Sequence, residues 1–194
     1  RSQIAAQRAH GGPVLLAAGG TGGHLFPAEA LARALAEREW RVHLVTDRRA
    51  ETYGRDFPAE AIHIVSAATL TRSLRGVVGG LSRLARGFFE ARRLIAKIGP
   101  AAAVGFGGYP SVPPILAASF ARVPTVIHEA NAVLGRANAF LARRVTRIAV
   151  AVAGVVPDPR LRDRVAVTGN PIRPAVRDAS RAPRSAASQW GGCL

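Results

Sequence analysis

The sequence predicts an α/β domain built on a doubly wound, Rossmann-like parallel sheet with helices on both faces. Three observations carry that prediction. Short apolar runs alternate with amphipathic stretches along most of the chain. Two glycine clusters stand where such a run ends and a helical pattern begins. The first three elements also form a βαβ unit, whose crossover forces parallel pairing. With 194 residues, 48% hydrophobic and 20% charged, the chain has enough apolar material for a packed core.

Taken in order, residues 14–18 (VLLAA) read as a buried strand that stops at glycines. Residues 27–39 have helical spacing through Ala28, Leu31, Ala32 and Leu35. Pro27 suits a first helical turn, where its missing N–H costs nothing. Residues 42–46 (VHLVT) give a second strand and residues 62–65 a weak third, followed by a long basic amphipathic stretch over 74–97. A strand at 101–104 enters the loop GFGGYP (105–110), and residues 112–121 read as a helix. Strands follow at 124–128, 148–152 and 165–168, with a helix over 134–141 between the first two. The domain is expected over 13–178. Residues 1–12 show no periodicity and read as a loose tail, and residues 179–194, rich in Ser, Ala and Arg, are expected to have little order.

The charge balance is strongly basic: 27 Lys+Arg against 12 Asp+Glu, a net of +15. Nearly all the cations are arginine, Lys97 being the single lysine, which with the abundance of Ala, Gly, Val and Pro fits a GC-rich coding bias. The charge is therefore weak evidence for a nucleic-acid partner. There is no methionine, so the chain reads as a fragment. Cys193 is the one cysteine, with no partner for an internal disulfide, and suits a reducing compartment. No apolar run reaches the roughly 18 to 20 residues of a membrane span, and no signal-peptide core is visible. The expected location is cytoplasmic, with a membrane surface still open.

Chemistry is expected at the strand ends. In Gly19-Gly20-Thr21-Gly22-Gly23-His24 the glycines let backbone N–H groups approach a ligand, and the start of the following helix favours negative charge. The spacing is not the dinucleotide fingerprint. Asp47 ends the second strand as a ribose-binding acid would, but Arg48 and Arg49 beside it argue against that role. The second loop, Gly105 to Gly108, has the same strand-to-helix placement, and two such loops suggest a cleft for an extended anion such as a diphosphate. His128-Glu129-Ala130-Asn131 closes another strand; these residues either orient a sugar and move a proton or simply tie down a loop. Arg173, after Thr168-Gly169-Asn170-Pro171-Ile172, is placed to reach an anion.

Four segments in this order and spacing, GGTGGHLFPAEALA (19–32), GFGGYPSVP (105–113), HEANAVLGRANAFLA (128–142) and TGNPIR (168–173), resemble the N-terminal domain of the MurG family of peptidoglycan N-acetylglucosaminyltransferases. The resemblance runs from about Val14 to Arg177. It implies the N-terminal half of a GT-B fold, two Rossmann-like domains facing across a cleft, with the C-terminal donor domain absent from these residues. It implies inverting transfer of N-acetylglucosamine from UDP-N-acetylglucosamine to the C4 hydroxyl of undecaprenyl-diphosphate-linked N-acetylmuramyl-pentapeptide, converting lipid I to lipid II. The fragment alone is expected to be inactive.

By the same resemblance, Thr21, Gly22, Gly23, Asn131 and Arg173 match positions that contact the nucleotide sugar. Gly107, Gly108 and Tyr109 match a loop that cradles the acceptor diphosphate, and His24 is the expected catalytic residue. The family usually has Gln where this chain has Ala130. No metal cluster or cofactor is expected. The resemblance also implies a peripheral enzyme on the cytoplasmic face of the bacterial inner membrane, with UDP-N-acetylglucosamine, lipid I and an anionic membrane surface as partners and no nucleic acid. The basic stretch over 74–97 fits that surface, with an ordinary sheet-covering helix as the alternative. Two other classes fit parts of the sequence: a Rossmann oxidoreductase, lacking its fingerprint, and a basic nucleic-acid-binding protein, lacking aromatic-lined strands or a recognition helix.

Overall fold

A computed structural model of the chain describes residues 11–19, 21–48, 57–67 and 74–181. Among them, seven parallel strands form one sheet: β1 (Val14–Ala17), β2 (Val42–Thr46), β3 (Ala61–Ile64), β4 (Ala102–Gly105), β5 (Thr125–Glu129), β6 (Arg147–Val150) and β7 (Val165–Val167). Their spatial order is β3-β2-β1-β4-β5-β6-β7. The chain thus builds outward from β1 to β3, returns to lay β4 on the other side of β1, and builds outward again to β7. Chain direction across the sheet reverses between β1 and β4, the chain after β1 leading to a helix on one face and the chain after β4 to a helix on the other, and such a switch point is where open α/β sheets bind ligands.

Both faces of the sheet are covered, which is why the strands read as apolar runs rather than alternating ones. Along β1, Leu15 and Ala17 enter one core while Val14 and Leu16 enter the other. Helix α1 (Gly22–Ala36) covers the second face with Leu25, Ala28 and Ala32. Helices α2 (Leu74–Ile98), α3 (Val112–Phe120) and α4 (Arg136–Leu141) cover the first with Ala91, Ile95, Ile115, Ala118 and Leu141. Leu15, Leu16, Leu44, Ile115, Ile127 and Ile148 are fully buried, each contributing about 1.5–3 kcal/mol of apolar burial. On β2 and the edge strand β3, His43 Nδ1 and His63 Nε2 lie 3.0 Å apart, and burial holds both imidazoles below their usual pKa.

Three local features depart from expectation. Helix α1 begins at Gly22, so Pro27 lies inside it rather than in its first turn. The first four N–H groups of a helix need no intrahelical partner, so glycines read as loop can open one. Pro27 then leaves the Gly23 carbonyl without its usual i+4 donor. The chain also forms a 3-10 turn over Pro159–Arg164 that the apolar pattern does not predict, capped by Asp158, which accepts from Arg160 N–H at 3.1 Å. Finally, helix α5 (Pro174–Arg181) crosses the boundary expected after Asp178. Residues 1–10 and 182–194, where most of the two tails and Cys193 were placed, lie outside the described residues, as do Gly20 and Arg49.

Candidate functional site at the switch point

The loops after β1 and β4 are bonded to each other: Phe106 N–H donates to Ala17 O at 2.8 Å and Gly19 N–H to Gly107 O at 3.3 Å. His24, on the first turn of α1, reaches across from one loop to the other, its Nδ1 lying 2.8 Å from Phe106 O. A carbonyl only accepts, so Nδ1 carries the proton, and in the neutral ring Nε2 keeps its lone pair. Gly107 and Gly108 have φ of 87° and 75°, and a Cβ on either would lie 3.2 Å from an imidazole carbon of His24. The histidine is thus packed against bare backbone. A cavity of about 280 Å³ opens beside it, bounded by Gly107, Gly108, Tyr109, Asn131 and Asn138. Tyr109 starts a short 3-10 turn whose Ser111 hydroxyl donates to Gly108 O at 2.8 Å and so fixes the second loop.

Glu129, at the end of β5, is 3% exposed. Burial by itself would push its carboxyl pKa up, but four donors outweigh it: Gly135 N–H at 2.9 Å, Asn138 Nδ2 at 2.9 Å, and Asn131 through its N–H at 3.1 Å and Nδ2 at 2.8 Å. The group is held below the ordinary carboxylate range. It serves as an anchor that shapes the 130–135 loop and positions Asn131. His128 likewise spends Nε2 on Gly169 O at 3.0 Å, tying β5 to the loop after β7. Of the two readings of this motif, the geometry supports the tied-down loop.

A second cavity, also about 280 Å³, lies on the other side of the α1 start, among Gly22, Gly23, Phe26, Ala130, Asn170 and Arg173. The Arg173 guanidinium sits 4.0 Å over the Phe26 ring and 3.9 Å from Glu29 Oε2. Thr21 caps α1 with extended backbone and makes no side-chain cap bond, so the N–H groups of Gly22 and Gly23 have no acceptor within the helix. The fold therefore gathers Gly22, Gly23 and Arg173 around one cavity and His24, Gly107, Gly108 and Tyr109 around the other. Asn131, expected with the first group, lines the second. Ala130 lines the first, and its carbonyl receives the Asn170 Nδ2 at 3.4 Å.

One residue escaped the sequence reading. Asn138 on α4 is 2% exposed; its Nδ2 donates to His128 O and Glu129 Oε2, and its Oδ1 is buried without a partner among the described residues. The available signal was an amide between Ala137 and Leu141 on the buried side of a short helix, where a polar side chain must satisfy something.

Residues 14–150 match the Glycosyltransferase family 28 N-terminal domain. The chain belongs to that family. Among curated relatives of this family 28 domain, the UDP-N-acetylglucosamine--N-acetylmuramyl-(pentapeptide) pyrophosphoryl-undecaprenol N-acetylglucosamine transferase of Agrobacterium fabrum is 54% identical over 175 residues, 89% of this chain and 46% of the relative. The protein of the same description from Methylobacterium nodulans is 58% identical over 174 residues, 88% and 46% respectively. The crystal structure of Acinetobacter baumannii MurG matches with a TM-score of 0.70 at 28% identity, covering 84% of this chain and 46% of that one. The chain spans about half the length of the relatives it matches. Its parallel sheet and switch-point crevice are those of a GT-B glycosyltransferase half.

Proposed function

We propose that the chain supplies the acceptor-side half of an inverting N-acetylglucosaminyltransferase. The donor is UDP-N-acetylglucosamine and the acceptor is the C4 hydroxyl of undecaprenyl-diphosphate-linked N-acetylmuramyl-pentapeptide. The observation that carries the proposal is His24, whose Nδ1 is committed to Phe106 O while Nε2 is left as a base beside the cavity between the two glycine loops. In the proposed step Nε2 takes the C4 hydroxyl proton as that oxygen bonds to the anomeric carbon, and the bond to UDP breaks with its electron pair leaving on the diphosphate. Gly22 and Gly23 N–H groups and Arg173, with Thr21 shaping the turn, face the leaving diphosphate; Gly107, Gly108 and Tyr109 hold the acceptor diphosphate. Asn131, braced by Glu129, is assigned to orient a sugar hydroxyl.

The acceptor's lipid places the enzyme at the cytoplasmic face of the inner membrane. No helix among the described residues is long and apolar enough to cross a membrane. Helix α2 turns Ile95 into the core and packs Phe88 and Leu94 on it, so it is a sheet-covering helix, but Leu81 and Phe89 remain exposed at 62% and 58%, with Phe120 of α3 at 64%. Together with Arg92 and Arg93 they suit peripheral attachment to an anionic surface. Salt-sensitive binding to anionic vesicles is the expected result, and equal binding to neutral vesicles at every salt concentration would refute it.

Because the relatives are about twice as long, turnover by this chain alone is expected to be negligible and to need the donor-binding half of a relative supplied with it. In that reconstituted assay with lipid I and UDP-N-acetylglucosamine, His24→Gln should lower kcat about 100-fold or more. Retention of kcat within threefold would remove His24 from the chemistry, and robust turnover by the chain alone would show that the second half is dispensable.

A further inference from the structure

A larger cleft lies away from the switch point, at the carboxyl ends of β2 and β3. It encloses about 940 Å³ and is lined by Arg48, Ile64, Ser66, Arg83, Arg86 and Glu90, with Asp47 at its edge. Its cations are not equivalent. Glu90 accepts from Ser66 N–H at 2.8 Å, from Ser66 Oγ at 3.1 Å and from Arg86 Nε at 2.8 Å, so Arg86 and Glu90 neutralise each other and fix the wall. Among the described residues Arg48 and Arg83 have no ion-pair partner. The floor is firm because α2 packs closely there: a Cβ on Gly87 would run into the Ser66 carbonyl. Ile64, 44% exposed, adds an apolar patch. Two unpaired guanidiniums over a partly apolar floor suit a ligand carrying carboxylates and small aliphatic side chains.

We propose that this cleft holds the peptide of the acceptor through its carboxylates. The inference rests on the transferase reading above and extends it. The ends of β1 and β3 are two strand spacings apart, about 10 Å, and an extended pentapeptide reaches up to about 17 Å. An acceptor sugar beside His24 therefore brings its peptide within reach of Arg48 and Arg83. A peptide ends in at least one carboxylate, which the planar guanidinium fork recognises in paired hydrogen bonds. Lipid phosphates are the rival anion, but Arg83 and the exposed Leu81 stand about 200° apart around α2, so the cleft side differs from the side assigned to the membrane.

The test is calorimetric titration of the chain with three soluble probes: an N-acetylmuramyl diphosphate whose lactyl group ends in a simple amide, the same sugar bearing the pentapeptide, and that pentapeptide with its carboxylates amidated. The peptide should tighten binding about tenfold. Amidation should abolish that gain, and so should Arg48→Gln with Arg83→Gln, two exposed changes expected to leave the peptide-free probe and anionic vesicle binding unaltered. The cleft assignment is overturned if the peptide adds no affinity, if the gain survives amidation or the double substitution, or if the substitution removes vesicle binding and spares the peptide gain. Peptide-free binding that ignores His24→Ala strikes at the transferase reading instead, and no binding by any probe overturns both.

Discussion

The two glycine loops occupy matching places at the ends of β1 and β4, yet their glycines answer different needs. In the second loop the requirement is conformational and steric. Gly108 sits at φ 75°, ψ 152°, a region open to glycine almost alone, and a side chain there would press on His24 and on the Gly19 Cα at 3.3 Å. In the first loop Gly23 opens a helix, and a Cβ on it would meet nothing within 4 Å. The folded chain does not need that glycine; the proposed donor diphosphate, approaching the helix start closely, would. The second loop closes on the histidine, whereas Gly23 in the first leaves open space at the helix start.

Gly108→Ala tests the first half of that contrast and carries the largest expected effect: a loss of about 3 kcal/mol in urea unfolding, with acceptor-diphosphate binding lost at the same time. An unchanged unfolding midpoint would break the contrast outright. Glu129→Gln comes next, at about 2 kcal/mol near neutral pH, because it replaces an acceptor for four donors. The sign with pH follows from the lowered folded pKa of Glu129. The carboxylate's contribution is complete above the unfolded value near 4.3 and disappears as pH falls through the folded one. The stability gap between wild type and Glu129→Gln should therefore close in acid, and a pH-independent gap would mean the charge is not what matters. Gly23→Ala is the smallest in stability, with a change within about 1 kcal/mol and toward stabilisation, since alanine is the better helix residue. Its effect should fall on donor binding. If it unfolds the chain as Gly108→Ala does, the two loops are not distinct.

The sheet was largely legible in the sequence because strands buried on both faces, such as β1 with Leu15 and Leu16 at 0% exposure, leave uninterrupted apolar runs. The edge strand β3, with Ile62 and Ile64 exposed, read weakly for the same reason in reverse. The start of α1 misled because glycine and proline are scored by their cost in a helix interior, which does not apply to groups that have no intrahelical partner anyway. The residues of the site were visible as motifs, but their partnerships were not. That His24 bonds Phe106 across 82 positions depends on β4 returning beside β1, and that Glu129 anchors Asn131 and Asn138 depends on how the 130–135 loop closes.

The bare backbone around His24 also has a genetic consequence. Every residue other than glycine carries at least a Cβ, so any missense change in the codons for Gly107 or Gly108 adds atoms within van der Waals reach of the imidazole. Ordinary ideas of conservative replacement have no purchase at those two codons. A saturation screen of the domain should show them as a block of null alleles, while codons for exposed residues such as Glu37 and Arg38 accumulate variants freely.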